Sequence, residues 1–319
     1  MDRFTAHMDR AWDCVSKGDT AKARIAALRA LAIDRNSPEV HNLLGFIHAM
    51  DGDVDEALAD YRRAMDLDEE YVDPMLNTAE LLVHAVTDPE EAIRLCRNAT
   101  EITHGREELV DAILLEVDAL LSLSCLEEAR KRLAEIDEPR SLPPAYGLLV
   151  GRGFYEAEDP ASAKGFVERA LVEEPENSNA WYYHGLIAQD EGLTQKAREA
   201  FLKVLALDAQ ASDPPWAKKL EPIEHIVEEA IAALDQKDRA WLEQAEVIIC
   251  DSPSIDQVER EVDPRQIACA ERLDTTETTI LRLWIFSKNL MRLCLVPDSA
   301  VNDLTNAVER EIQLLRDSV

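Results

Sequence analysis

Catalysis needs side chains that can exchange a proton, attack a carbon or hold a metal, and here they stand in few of the required spacings. Seven His and six Cys are spread over 319 residues. Cys14, Cys96, Cys125, Cys250, Cys269 and Cys294 form no CxxC pair, and cysteines dispersed in this way read as reduced, buried thiols with no disulfides. No Gly-rich phosphate loop and no GxSxG elbow is present, and no histidine follows His225, so neither phosphoryl transfer nor acyl transfer has its usual parts. Accordingly, no catalytic residue, cofactor or metal is assigned, and the chain is expected not to be an enzyme.

The elements that would have to position such groups are helical over the first two-thirds of the chain. A short phrase recurs around Ala23, Ala57, Ala92, Ala129, Ala163 and Ala197, with steps of 34, 35, 37, 34 and 34 residues. Four residues after each alanine stands a second core position (Ala27, Tyr61, Cys96, Leu133, Val167, Phe201) and three later a third (Ala30, Ala64, Ala99, Ile136, Ala170, Val204), the i, i+4, i+7 face of a helix. Gly45, Gly151 and Gly185 stand twelve residues before Ala57, Ala163 and Ala197, where a first helix needs a small residue to let the second approach. Breakers KGD, DGD, TDP, EDP and EGL separate the paired helices, and Pro38, Pro74, Pro139 and Pro175 mark the hand-over between pairs. Extra residues near Thr87 and Pro139 lengthen turns without breaking the register. This pattern resembles the tetratricopeptide repeat, two antiparallel helices per unit, and six units fit between about Arg3 and Asp208.

In that repeat family the first helix of each unit lines a concave groove. The resemblance places Trp12, Asn42, Phe46, Asn77, Leu81, His84, Arg152 and Tyr155 there. Trp12, Phe46 and Leu81 form an apolar strip in the front half, beside two amides, Asn42 and Asn77, suited to holding a peptide backbone; the alternative is that Trp12 or Phe46 packs within its own repeat. Some members clamp a chaperone's C-terminal carboxylate with Lys and Arg at groove positions. Here those positions are mostly neutral or acidic, as at Glu39, Asp111 and Asp118, so no such clamp is expected. His7, His41, His48 and His184 fall at inter-helix packing positions; His84 alone points to the groove.

After Asp208 the pattern changes. AQASDPPWAKKLEP reads as a Pro-rich linker (209–222), IEHIVEEAIAALDQKDRAWL as one amphipathic helix, AEVIIC and LRLWIF as strands separated by a short middle segment, then SKNLMRL and a last helix from PDSAVNDL. The order, with VIICDSPS at Val247 to Ser254 and WIFSKNL at Trp284 to Leu290, resembles the bacterial minimal zincin-like metallopeptidases, whose final helix bears HExxH. That motif brings two imidazoles one turn apart to a zinc ion, with the Glu as general base. In the corresponding phrase Arg310, Glu311 and Leu314 stand at the three positions. The Glu is retained and both ligands are lost, so the resemblance implies a degenerate motif that binds no metal, with Glu311 paired to Arg310 or a neighbour such as Arg316.

The expected fold class is therefore mainly α: a tetratricopeptide-type helical-hairpin solenoid over 1–208, the linker, and a small α+β zincin-like domain over 223–319. Lys plus Arg number 34 against 64 Asp plus Glu, a net charge of −30, which repels nucleic acid and anionic membrane. The N-terminus has no apolar run, and no stretch is long enough to span a bilayer, so a cytoplasmic protein without membrane insertion is expected. These readings converge on a scaffold that holds a protein partner, either a basic one or one presenting an apolar helix or extended segment. The degenerate domain would supply a second docking or regulatory surface. The alternatives are a metallopeptidase with atypical ligands and an adaptor of a bacterial secretion, motility or envelope machine.

Overall fold

The computed structural model of the chain describes residues 2–136, 143–214, 217, 220–274, 279–293 and 299–317. Pro139, Cys294 and part of the expected linker lie outside them. The described residues are mainly α and divide into two compact units, Met1–Glu173 and Glu174–Val319.

Five helical hairpins make up the first unit: α1 (Arg3–Ser16) with α2 (Thr20–Ile33), α3 (Pro38–Asp51) with α4 (Val54–Leu67), α5 (Val72–Leu81) with α6 (Pro89–Ile102), α7 (Arg106–Ser122) with α8 (Leu126–Ala134), and α9 (Pro144–Glu156) with α10 (Pro160–Glu173). The recurring alanines Ala23, Ala57, Ala92, Ala129 and Ala163 have no exposed surface at all. Each lies in the second helix of its hairpin, where a small side chain lets two backbones approach. Gly45 makes the complementary concession from the first helix: a Cβ there would come within 2.6 Å of the Tyr61 ring.

Every hairpin turns through one left-handed residue placed five positions before its alanine. In this unit these are Gly18, Gly52, Thr87, Ser124 and Glu158, with φ of 71, 88, 61, 57 and 58°. Three of the second helices, α2, α6 and α10, then start on side-chain caps: Asp19 accepts from the Lys22 N–H, Asp88 from Glu91 and Asp159 from Ser162. The step of 35 residues before Ala92 is accommodated inside the helix. After α5 the segment Leu82–Val86 winds as a π-helix, and this wider turn takes up the extra residue before Thr87.

A buried ionic cluster joins α6, α7 and α8. Glu116 is wholly buried and accepts from Arg97 Nε and Arg132 Nε, each at 2.7 Å, while Arg97 also reaches Glu128 at 2.6 Å.

The second unit opens with a sixth hairpin, α11 (Ser178–Asp190) and α12 (Thr194–Asp208), built on the same rules: Gly192 turns at φ 72°, five residues before Ala197. Beyond it come α13 (Ile223–Ala233), α14 (Gln236–Leu242), β1 (Ala245–Cys250), α15 (Ile255–Glu259), β2 (Ala268–Asp274), β3 (Thr279–Phe286), α16 (Ser287–Leu293) and α17 (Ala300–Asp317). Two expectations are corrected here. The single amphipathic helix is two, because Asp235 caps α14 by accepting from the Asp238 N–H at 2.7 Å. The middle segment contributes a strand, β2, so the sheet has three strands in the order β1-β3-β2, with β1 parallel and β2 antiparallel to β3.

Leu283 and Ile285 of β3 form a core with Ile226 and Val227 of α13 and with Leu304, Val308 and Ile312 of α17. The hairpin is held to this module by arginines. Arg265 donates to Asp208 Oδ2 at 3.1 Å, Ser178 Oγ at 2.8 Å and Asn179 Oδ1 at 2.7 Å, and Arg292 pairs with Asp208 at 2.8 Å. Tyr182 donates to Asp263 at 2.8 Å with the Arg265 guanidinium 4.8 Å above its ring.

Candidate functional site

The first helices of the five hairpins in the first unit line a groove of about 580 Å³. Trp12 comes from α1; Asn42 and Phe46 from α3; Asp73, Leu76, Asn77 and Glu80 from α5, with His84 from the π segment; Asp111, Leu114, Leu115 and Asp118 from α7; Leu149 and Arg152 from α9. Steps of three and four residues put each set on one helix face. Six of the eight residues placed in the groove by resemblance are brought together here: Trp12, Asn42, Phe46, Asn77, His84 and Arg152. Leu81 and Tyr155 do not line it; both are partly buried.

Within this groove the residues have distinct fates. The rings of Trp12 and Phe46 lie 5.8 Å apart and tilted, with Trp12 42 % exposed, so they form an apolar ledge open to solvent. Asn42 does not present its amide outward. It is buried, its Nδ2 donates to the Tyr71 hydroxyl at 3.1 Å, and its Oδ1 accepts from Asn77 Nδ2 at 3.0 Å. That ladder fixes α3 against α5, and burial pushes the Tyr71 hydroxyl up to about 12. Arg152 donates to both carboxylate oxygens of Asp118, at 2.6 and 3.0 Å.

Four carboxylates, Asp73, Glu80, Asp111 and Asp118, therefore face a groove whose one arginine is already paired. Burial raises the Asp111 carboxyl above its ordinary value, opposed in part by a hydrogen bond from Tyr146, whose own hydroxyl is pushed up to about 12. Such a wall attracts cations and repels a free carboxylate. Asp73 and Glu80 escaped the sequence reading; their signal was the i, i+3, i+4, i+7 spacing from Asp73 through Leu76 and Asn77 to Glu80.

The packing histidines divide similarly. His41 Nδ1 lies 2.9 Å from Asp60 Oδ1, and His48 stands 3.4 Å from the other oxygen, which ties α3 to α4. His184 packs edge-on against Trp181 at 5.9 Å.

On α17, Arg310 is exposed and Leu314 is 58 % exposed; one turn apart, they share the outer face of the helix. Glu311 turns inward, its Oε2 accepting from the Ala270 N–H at 3.3 Å, and burial raises its carboxyl above the ordinary range. Of the two expected partners, Arg310 acts on Glu311 through its charge, which opposes the rise, and Arg316 instead binds Asp238 across to α14. A guanidinium and an aliphatic side chain have no lone pair to give a zinc ion. Among the described residues no group of three or more His, Cys, Asp or Glu is arranged to hold a metal. The residues present do not fit zinc. No helix among the described residues is long and apolar enough to cross a membrane.

No curated protein matches the sequence. Among solved structures, PilF of Pseudomonas aeruginosa is similar at 17 % identity and a TM-score of 0.56, over 66 % of this chain and 93 % of that one. PilW, a widely conserved type IV pilus biogenesis factor, is similar at 15 % identity and a TM-score of 0.58, over 66 % of this chain and 95 % of that one. At these identities the likeness is one of fold. Residues 38–71 and 178–210 match family models described as Tetratricopeptide repeat, and the chain thus carries tetratricopeptide repeats.

Proposed function

We propose that the chain is a protein-binding scaffold whose groove, from Trp12 to Arg152, receives a basic polypeptide segment carrying at least one large apolar side chain. The observation that supports this most directly is the pairing of an open aromatic ledge, Trp12 and Phe46, with a wall of four carboxylates. An apolar anchor would seat on the ledge, and Lys or Arg side chains would meet Asp73, Glu80 and Asp111. Arg152 is neutralised by Asp118 and holds the groove wall. The cytoplasm is taken as the compartment: Cys14, Cys96, Cys125, Cys250 and Cys269 are free thiols, the state a reducing environment maintains.

For residues 223–319, the resemblance to zincin-like metallopeptidases is retained as a reading of ancestry. Its support is the place of Glu311 on α17, turned toward β2. That domain then acts as a docking or regulatory surface and not as a peptidase.

The test is binding of a Lys- and Arg-rich peptide bearing one Trp or Leu, followed by fluorescence anisotropy. Affinity should fall as salt rises, drop about tenfold in Phe46→Ala, the equivalent of about 1.4 kcal/mol, and drop about threefold to fivefold in each of Glu80→Gln and Asp111→Asn. If those three variants bind as tightly as the parent chain, the groove reading is wrong.

A further inference from the structure

Helix α2 differs from the equivalent helix of its neighbours on the side turned to water. Ala21, Ile25, Leu28 and Ala32 are all exposed, Ile25 by 54 % and Leu28 by 50 %. They recur at alternating steps of four and three, the spacing with which one helix packs along another. The same positions in α4 hold Asp55, Ala59, Arg62 and Asp66, and in α6 Glu90, Arg94, Arg97 and Glu101, all exposed. There the outer face is charged, with Arg62 and Arg97 reaching carboxylates of the next hairpin. In α2 the inner face is taken by Ala23, Ala26, Ala27 and Ala30, so the helix is apolar on both sides, a pattern of helices that are covered on both.

The charged residues that α2 itself contributes beside this seam are all cationic. If Ile25 and Leu28 are the a and d positions, Lys22 and Arg29 fall at e and Arg24 at g, and no carboxylate lies anywhere in Thr20–Ile33. Lys22 is shared with Asp19, and Arg24 with Asp51 and Asp53, exposed pairs of small energy that a partner can displace. A second copy of this chain fits poorly. Antiparallel pairing would set Lys22 against Arg29 of the other copy, and parallel pairing would set Arg24 against Arg29, like charges at the positions that decide partner choice in paired helices.

We propose that the outer face of α2 is a second docking surface, separate from the groove, which takes an amphipathic helix with acidic flanks from another protein. The Ile25–Leu28 seam supplies the apolar contact, and Lys22, Arg24 and Arg29 select the partner's carboxylates. On a surface of net charge −30 an acidic helix meets repulsion over most of its approach, and this cationic edge marks where it can settle.

The test uses the full chain and two synthetic helices of about three heptads, each with Leu at a and d, one with Glu and one with Lys at e and g. The Glu-flanked helix should bind through this face, while its Lys-flanked twin, whose charge suits the groove, should show no binding that Leu28→Glu removes. Leu28→Glu should weaken binding at least tenfold with an unchanged thermal midpoint, since the side chain is half-exposed; should that variant fail to fold, Ile25→Ser carries the same comparison. The double variant Lys22→Glu, Arg29→Glu should reverse the preference, while Asp111→Asn in the groove should leave binding of the Glu-flanked helix unchanged. Equal loss of the two helices in Leu28→Glu, no binding of the Glu-flanked helix, or its indifference to the seam variants overturns the proposal. So does a dimer in sedimentation velocity that Leu28→Glu dissociates, which would assign this face to a second copy.

Discussion

A methyl group added at Gly185 would stand 2.4 Å from Cε1 of Phe201, the core residue four positions after Ala197. The equivalent pair in the second hairpin, Gly45 and Tyr61, has the same relationship at 2.6 Å. In both, an aromatic ring of the second helix occupies the space a side chain of the first would need. Gly185→Ala is expected to lower stability by about 1–2 kcal/mol, the strain of overpacking less the helix preference of alanine. Denaturant unfolding measures it, and Phe201→Leu in the Gly185→Ala background should recover most of the loss, so a double-mutant cycle should show strong coupling.

Glu116 is a buried carboxylate between two guanidinium groups. Removing it leaves Arg132 charged in a largely buried position, so Glu116→Ala should cost about 3–5 kcal/mol. The triple variant Arg97→Met, Glu116→Leu, Arg132→Met removes all three charges and should recover most of that stability. A triple variant no more stable than Glu116→Ala would show that the cluster does more than compensate its own burial.

Thr87 holds a left-handed backbone at φ 61°, costly for a β-branched residue. Thr87→Gly should raise the unfolding free energy by about 0.5–1 kcal/mol, even though glycine is the more flexible residue in the unfolded chain. Thr87→Val should lower it. Thermal unfolding of the two variants side by side gives the answer.

The raised carboxyl of Glu311 makes a pH prediction with a definite sign. A carboxyl whose value is higher folded than unfolded holds its proton more tightly when folded, so its contribution to stability is greatest at low pH. That contribution declines as pH rises from the ordinary glutamate range through the raised value. Glu311→Gln keeps an acceptor for the Ala270 N–H and removes the titration. The difference in unfolding midpoint between variant and parent should therefore grow in favour of the variant as pH rises from 4 toward neutrality, and then level off.

What could be read from the chain alone follows from how local each signal is. The alanine phase was legible because a small residue is required at every helix crossing, and all six alanines are buried. The π turn at Leu82–Val86 was not, since one inserted residue has the same composition whether it widens a helix or lengthens a loop. Strand β2 escaped because ACAERLD has little intrinsic strand preference; its conformation comes from pairing with β3, where Glu271 sits beside Arg282 and accepts from the Trp284 indole at 3.3 Å. In the groove, the residue types at Trp12, Phe46 and His84 pointed to an open surface. The fate of Asn42 depended on Tyr71, 29 residues away, which no local pattern conveys. Asp235 had the composition of a helix cap, but its place inside an amphipathic run concealed the break.

Asp208 is the last residue of α12, yet both Arg265 and Arg292 bind it. A gene shortened at that codon would end neatly by the arithmetic of the repeat and badly by its chemistry. The sixth hairpin would lose two guanidinium partners, the Asp263 acceptor for Tyr182, and Val258, which closes the apolar cluster around Phe201. The last hairpin packs with the module that follows it, and a useful cut falls at Glu173, before it begins.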